Sequence, residues 1–134
     1  MRSFLPCLLG LAAGACAYAP PNPAQQAEAQ ARLTKELAGR VPGKPMSCIP
    51  HTLADRDMVA ISPQVVLFKE GGTVYRNDIE GGCNGLGSNG YTLVTRSHGT
   101  GLCQGDIAEV RDIAAGMMVG SCAFGPFTPY RRAR

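Results

Sequence analysis

Short apolar runs separated by glycine-rich turns fill the chain from Val41 onward. Runs of about four to eight such residues, bounded by turn residues, are typical of strands in a small all-β domain. The pattern predicts six strands, at residues 59–61, 65–69, 73–77, 91–96, 107–111 and 121–124. The two glycines within 69–73 predict a hairpin between two of them. Residues 113–119 are apolar but include a glycine, and the pattern leaves open whether they form a short helix or a loop.

A helical pattern precedes the strands. Residues 24–40 are rich in Ala, Gln, Glu, Leu and Lys, which favour helices. Asn22 is suited to cap this helix, Pro23 to open its first turn and Gly39 to end it. Its apolar side is narrow, so we expect a helix that rests lightly on the β domain or offers one face to a partner.

The first residues follow the three-part pattern of a secretory signal peptide. Arg2 gives a positive start, an apolar run follows, and small residues surround Cys16. The apolar run is about a dozen residues long, which is too short for a helix to span a bilayer of about 30 Å. We therefore predict a signal peptide at residues 1–15, followed by a stiff, proline-rich tether at 16–23.

The end of the signal peptide allows two kinds of processing. Ala13-Gly14-Ala15-Cys16 resembles a bacterial lipobox, in which the cysteine is lipidated and becomes the first mature residue. Ordinary cleavage after Ala17 or Ala19 is the alternative. We favour lipidation of Cys16, because residues 19–23 resemble the tether that follows a lipidated cysteine. Several acyl chains would then anchor the protein stably. Since no Asp follows the cysteine, the predicted location is the outer membrane, with a soluble periplasmic or secreted form as the alternative.

Composition narrows the class of protein further. Charged residues make up 17% of the 134 residues, there are 17 glycines and 10 prolines, and Trp is absent. This excludes a collagen, a coiled coil and a multi-span membrane protein. The net charge of +3 is too weak to argue for nucleic-acid binding, and three basic residues lie within 131–134. We expect that segment to be a solvated basic tail after a β domain at 41–130.

The predicted domain holds an even number of cysteines, namely Cys48, Cys83, Cys103 and Cys122. In an exported chain this predicts two disulfides, and four cysteines allow three pairings. A small core without Trp also needs covalent support. We favour Cys83 with Cys103, which joins the glycine-rich loops around a central strand. Cys48 with Cys122 would then tie the start of the domain to its end.

Two motifs for bound cofactors or metals lack the context they need. The segment 85–90 matches G-x-G-x-x-G, but a strand rather than a helix follows it, so its glycines are expected to serve turns. Cys48 and His51 have the spacing of zinc ligands without a second pair of ligands. The sequence therefore predicts neither a cofactor nor a metal site.

Catalytic motifs are equally weak. Ser88 or Ser97 could form a triad with His98 and Asp106, but no G-x-S-x-G elbow surrounds either serine. Asp106 is better suited to accept hydrogen bonds from nearby backbone N–H groups in a tight turn. We predict no catalytic residue.

The order of several short motifs resembles a family of small exported, lipoprotein-like proteins of proteobacteria. The motifs are Gly43-Lys44-Pro45-Met46-Ser47-Cys48-Ile49, Val74-Tyr75-Arg76-Asn77, Cys83-Asn84-Gly85-Leu86, Leu102-Cys103-Gln104-Gly105-Asp106, Cys122-Ala123-Phe124-Gly125-Pro126-Phe127 and Pro129-Tyr130-Arg131. The resemblance covers residues 30–132, and Asn84 stands where similar proteins often have Pro. It implies an exported location and a shared architecture, and it implies no catalytic residues.

Together these patterns predict an all-β fold, a small disulfide-stapled barrel or sandwich of about six strands preceded by one helix. We expect a non-catalytic envelope protein, a binding or structural module for an envelope protein or a glycan. The alternative is a small inhibitor of an envelope- or wall-directed enzyme, or a hydrolase. An exposed apolar patch would favour the binding module, whereas carboxylates gathered in a cleft would favour the enzyme.

Overall fold

The computed structural model of the protein describes residues 22–50, 57–96, 99 and 101–134. The predicted signal peptide, Cys16, His51, Ser97 and His98 lie outside the described residues. The described elements are α1 (Pro23–Leu37), β1 (Arg40–Pro42), β2 (Cys48–Pro50), β3 (Met58–Ser62), β4 (Val65–Glu70), β5 (Thr73–Asp78), β6 (Tyr91–Thr95), β7 (Gly101–Cys103), β8 (Ile107–Asp112), β9 (Met118–Ala123) and β10 (Phe127–Arg132).

The strands form three antiparallel sheets. The largest has the order β1-β10-β5-β4-β3, a second has the order β6-β8-β9, and β2 pairs with β7. The predicted all-β, disulfide-stapled fold with one N-terminal helix is confirmed. All six predicted strands are present, and the predicted hairpin at 69–73 joins β4 to β5.

Four of the described strands, β1, β2, β7 and β10, were not predicted from the sequence pattern. β1, β2 and β7 have only three residues each, which is too short for a periodic signal. β10 contains Pro129, which argues against an inner strand because proline has no N–H to donate. The carbonyl of Pro129 accepts the N–H of Gly43 at 2.7 Å, beyond the end of the β1 pairing. The backbone nitrogen of Pro129, which carries no hydrogen, therefore lies next to Gly43, where the ladder of β1 has already ended.

The main core lies between one face of the five-stranded sheet and the two smaller sheets. All three sheets contribute to this core, with Phe68 and Phe127 from the large sheet, Val110 from the three-stranded sheet and Leu102 from the pair. Phe68, Phe124 and Phe127 form an aromatic cluster with ring centroids 5.8 to 6.0 Å apart. The large sheet thus buries its inner face under the other two.

A buried amide fixes the loop that leads into β10. Asn77 is fully buried, its Nδ2 donates to the carbonyl of Gly125 at 2.7 Å, and its Oδ1 accepts the Gly125 N–H at 3.1 Å. These two bonds satisfy a polar side chain that would otherwise be costly inside the core.

Helix α1 covers the other face of the large sheet. Leu33 is buried against Ile61, Leu67 and Val74. At the N-terminus Asn22 forms a capping box with Gln25, which confirms the predicted helix start. The helix ends at Leu37, three residues earlier than predicted.

The turn at Gly39 ends the helix and leads the chain into β1, which pairs with the C-terminal residues of β10. Gly39 adopts a positive φ of 67°, which ends the helix and turns the chain into β1. Arg40 and Val41 then pair with Arg132 and Arg131 of β10. Residues 131–134 are exposed, as expected of a solvated basic segment, but Arg131 and Arg132 belong to β10 rather than to a tail beyond the β domain.

The structure corrects the predicted disulfide pairing. Cys48 is bonded to Cys103, and Cys83 is bonded to Cys122. The register of β2 and β7 places Cys48 directly opposite Cys103, and these are two of the short strands that the sequence pattern does not show. The two disulfides indicate an oxidising compartment outside the cytoplasm. Among the described residues, no helix has the length and hydropathy needed to cross a membrane.

Candidate functional site: the apolar tip of the β8–β9 hairpin

The hairpin of β8 and β9 ends in a group of exposed apolar side chains. We call residues 113–119 the hairpin tip. The side chains of Ile113, Met117, Met118 and Val119 are 64%, 66%, 58% and 43% exposed. Earlier in the same hairpin Val110 is fully buried in the main core. The apolar residues at the tip therefore contribute little to the packing of the domain.

The backbone of the tip is a tight turn organised by Asp112. Asp112 Oδ1 accepts the N–H groups of Ala114 at 2.8 Å and Ala115 at 2.9 Å. The Asp112 carbonyl accepts the N–H of Gly116 at 2.8 Å, and its own N–H donates to the carbonyl of Met117 at 2.9 Å. The segment that the sequence left open is therefore a turn leading into β9, with the positive φ of 66° at Gly116 closing it.

Charged side chains lie on the outer face of the three-stranded sheet, behind the tip. Arg111 Nη2 donates to Glu109 Oε2 at 2.8 Å, and Arg96 Nε lies 3.6 Å from Glu109 Oε1. The hydrogen bond from Arg111 holds the pKa of Glu109 below its ordinary value, partial burial opposes this, and the positive charges of Arg96 and Arg111 add to it. Arg111 lies opposite Met118 of the tip, so the charged group directly borders the tip.

An aromatic side chain lies at the base of the tip. Tyr91 pairs with Asp112 across β6 and β8 and is 37% exposed. Just before it, the carbonyl of Gly90 accepts the N–H of Ile113 at 2.8 Å. The base of the tip is thereby attached to the edge strand β6.

The glycine-rich loop behaves as predicted. Gly85, Gly87 and Gly90 have φ angles of 83°, 85° and 88°, values that favour glycine. A Cβ at Gly85 would touch the ring of Tyr91 and the side chain of Val110. These glycines serve turn geometry and the close approach of the loop to the sheet.

The other residues singled out in the sequence have structural partners. Asp106 Oδ2 accepts the N–H of Cys103 at 2.8 Å and its own N–H donates back to the Cys103 carbonyl at 3.0 Å, which confirms the predicted tight turn. Cys48, the first residue of the possible zinc pair, is in a disulfide. Within the described part of the chain, no three His, Cys, Asp or Glu side chains gather where they could hold a metal ion.

A groove of about 530 Å³ lies between α1, the β3–β4 turn and the glycine-rich loop. Polar side chains dominate its walls, among them Gln25, Glu28, Gln30 and Asn89. Arg32, also in the wall, donates to the carbonyl of Ala60 at 3.1 Å. The groove is a polar depression between packed elements and brings no catalytic pair together.

Comparison with protein-family models, with curated proteins and with solved structures finds no match for this chain. The site must therefore be interpreted from its own chemistry. The sequence contained one signal for it, an uncharged stretch at 113–119 that fitted neither a buried strand nor an amphipathic helix. Exposure could not be derived from that stretch, because apolar residues are more often buried.

Proposed function

We propose that this protein is a non-catalytic binding module of the bacterial cell envelope that binds through the hairpin tip. The observation that supports it is the exposure of Ile113, Met117, Met118 and Val119 on one turn. Contiguous exposed apolar groups bordered by polar residues mark interaction sites on soluble domains. The disulfides support an extracytoplasmic location, and the predicted lipidation of Cys16 would add a membrane anchor.

Site-directed photo-crosslinking in cells tests this function. A photoreactive amino acid replaces Met117 in one variant of the exported protein and Ile107 in another. Ile107 is a matched control because it is 54% exposed and lies at the other end of the same hairpin. We expect a defined adduct, identified by mass spectrometry, from position 117 and not from position 107. Equal labelling at both positions, or none at either, would contradict the proposal.

The anchor is tested separately. The Cys16→Ser variant should move the protein from the membrane fraction to the soluble periplasm, because the thiol that accepts the lipid is removed. If the unchanged protein is already soluble and begins at Tyr18 or Pro20, the lipid anchor is wrong. The proposed role of the hairpin tip does not depend on that result.

A further inference from the structure

We propose that the partner of the hairpin tip is a lipid surface, and that the tip inserts shallowly into the apolar boundary of a membrane. This inference rests on the proposed function and specifies its partner. The four exposed side chains lie at one end of the three-stranded sheet, in and beside the turn that joins β8 to β9. An exposed apolar turn can enter a fluid lipid interface without a complementary pocket, whereas a protein partner would need one.

The charge distribution favours lipid. No charged residue occurs from Ile113 to Tyr130. The carboxylate of Asp112, just before the tip, accepts the N–H groups of Ala114 and Ala115, and these bonds offset part of its cost near an apolar layer. Ionised side chains are the costliest groups to place in hydrocarbon. The nearest basic side chain is that of Arg111, at the base of the tip opposite Met118. From that position it can remain at the level of the lipid headgroups.

The backbone N–H groups of the tip already have hydrogen-bond partners within the protein, as an apolar medium requires. Four successive N–H groups, those of residues 113–116, donate to oxygens of Gly90 and Asp112. Lipid offers no partner to an unsatisfied N–H, and each one carried into hydrocarbon costs several kcal/mol. A β-strand partner would instead need free N–H groups at this turn. The internal bonding therefore favours insertion over strand addition here.

The side chains at the tip suit an interface. Methionine is flexible and adapts to irregular apolar surroundings, and Met117 and Met118 are adjacent. Tyr91, partly exposed at the base of the hairpin, has the apolar ring and polar hydroxyl that favour the boundary between membrane and water. The apolar tip is thus followed along the small sheet by Tyr91 on β6, opposite Asp112, and then by Arg111 on β8.

Tryptophan fluorescence tests the insertion directly. The chain contains no Trp, so Met117→Trp introduces a single reporter at the tip and Ile107→Trp a control at the far end of the hairpin. Both are made in the full exported chain with Cys16→Ser, so that no acyl chain contributes. With phosphatidylcholine vesicles we expect a blue shift and quenching by brominated lipid for Trp at 117 only. An unchanged spectrum at 117, or equal shifts at both positions, overturns the inference.

Vesicle sedimentation measures the energetics. In the same Cys16→Ser chain, Ile113→Ser and Met117→Ser should each weaken partitioning into phosphatidylcholine vesicles by about tenfold, whereas Ile107→Ser should not. Binding should persist with added phosphatidylglycerol and at about 1 M salt, where charges are screened within about 3 Å. Binding that disappears at high salt, or that the tip variants leave unchanged, overturns the inference. A protein adduct at position 117 without vesicle binding would overturn the lipid partner and leave the proposed function standing.

Discussion

The five-stranded and three-stranded sheets are stabilised in different ways. The large sheet is covered on both faces, by the main core and by α1, and contains no cysteine. The small sheet buries one face only and is joined to the glycine-rich loop by the Cys83–Cys122 disulfide. The turn of the β4–β5 hairpin is polar, with Glu70, Gly71, Gly72 and Thr73, whereas that of the β8–β9 hairpin is apolar. Apolar residues in the first region serve packing, whereas those at the hairpin tip are exposed.

The largest expected effect concerns the covalent support of the small sheet. The pair Cys83→Ser and Cys122→Ser should reduce the free energy of unfolding by about 4 kcal/mol, the value of the chain-entropy model for a separation of 39 residues. Urea unfolding followed by circular dichroism measures it. A loss below about 1 kcal/mol would show that packing alone holds the small sheet, and the comparison between the two regions would fail.

The two kinds of apolar residue can be compared directly. Leu67 of β4 is fully buried on the face of the large sheet that α1 covers. Leu67→Ala should therefore lower the free energy of unfolding by about 3 kcal/mol. Met117→Ala at the exposed tip should change it by less than about 0.5 kcal/mol. Thermal and urea unfolding of the two variants give both values. A comparable loss for Met117 would mean that the tip is part of the folded core.

The loop between the two regions provides a third test. A Cβ at Gly87 would lie 3.1 Å from the Cα of Ser62 in β3, whereas one at Gly90 would meet nothing within 4 Å. Both residues have positive φ, so alanine at either should cost about 1 kcal/mol from backbone strain. Gly87→Ala should cost more, because contact with the large sheet adds to that strain. Equal losses in equilibrium unfolding would remove the proposed close contact.

The smallest effect is a pH dependence in the small sheet. The Arg111 hydrogen bond lowers the pKa of Glu109 in the folded protein. The ionised Glu109 therefore stabilises the fold fully at a pH above 4.5, the ordinary pKa of a glutamate side chain. This stabilisation is lost as the pH falls through the lower folded value. The stability difference between the unchanged protein and Glu109→Gln should therefore shrink as the pH falls below 4.5. Urea midpoints across that range test this, and a difference that grows on acidification would contradict it.

Local features of the fold followed from the sequence, and features that depend on distant neighbours did not. The Asn22 cap, the β4–β5 turn and the turn glycines are set within a few residues, and each was predicted. The disulfide pairing depends on the register of β2 with β7, which no local pattern specifies. Strand β10 was missed because Pro129 normally excludes an inner strand.

The candidate site shows the same limit. The sequence identified the apolar character of residues 113–119 but not their exposure, which depends on what packs around that end of the small sheet. A run of apolar residues predicts burial by default. Only the surroundings in three dimensions show that the tip has no cover in the described part of the chain.

The position of β10 has a consequence for biogenesis. Among the described strands this one is synthesised last, yet it lies between β1 and β5 and contributes the fully buried ring of Phe127. The large sheet therefore cannot be completed on a nascent chain that still lacks its C-terminal strand, because β1 would have no neighbour to pair with. Contacts between residues so far apart in the sequence form slowly. The large sheet is therefore completed only after β10 has been synthesised, although β3, β4 and β5 can pair before then.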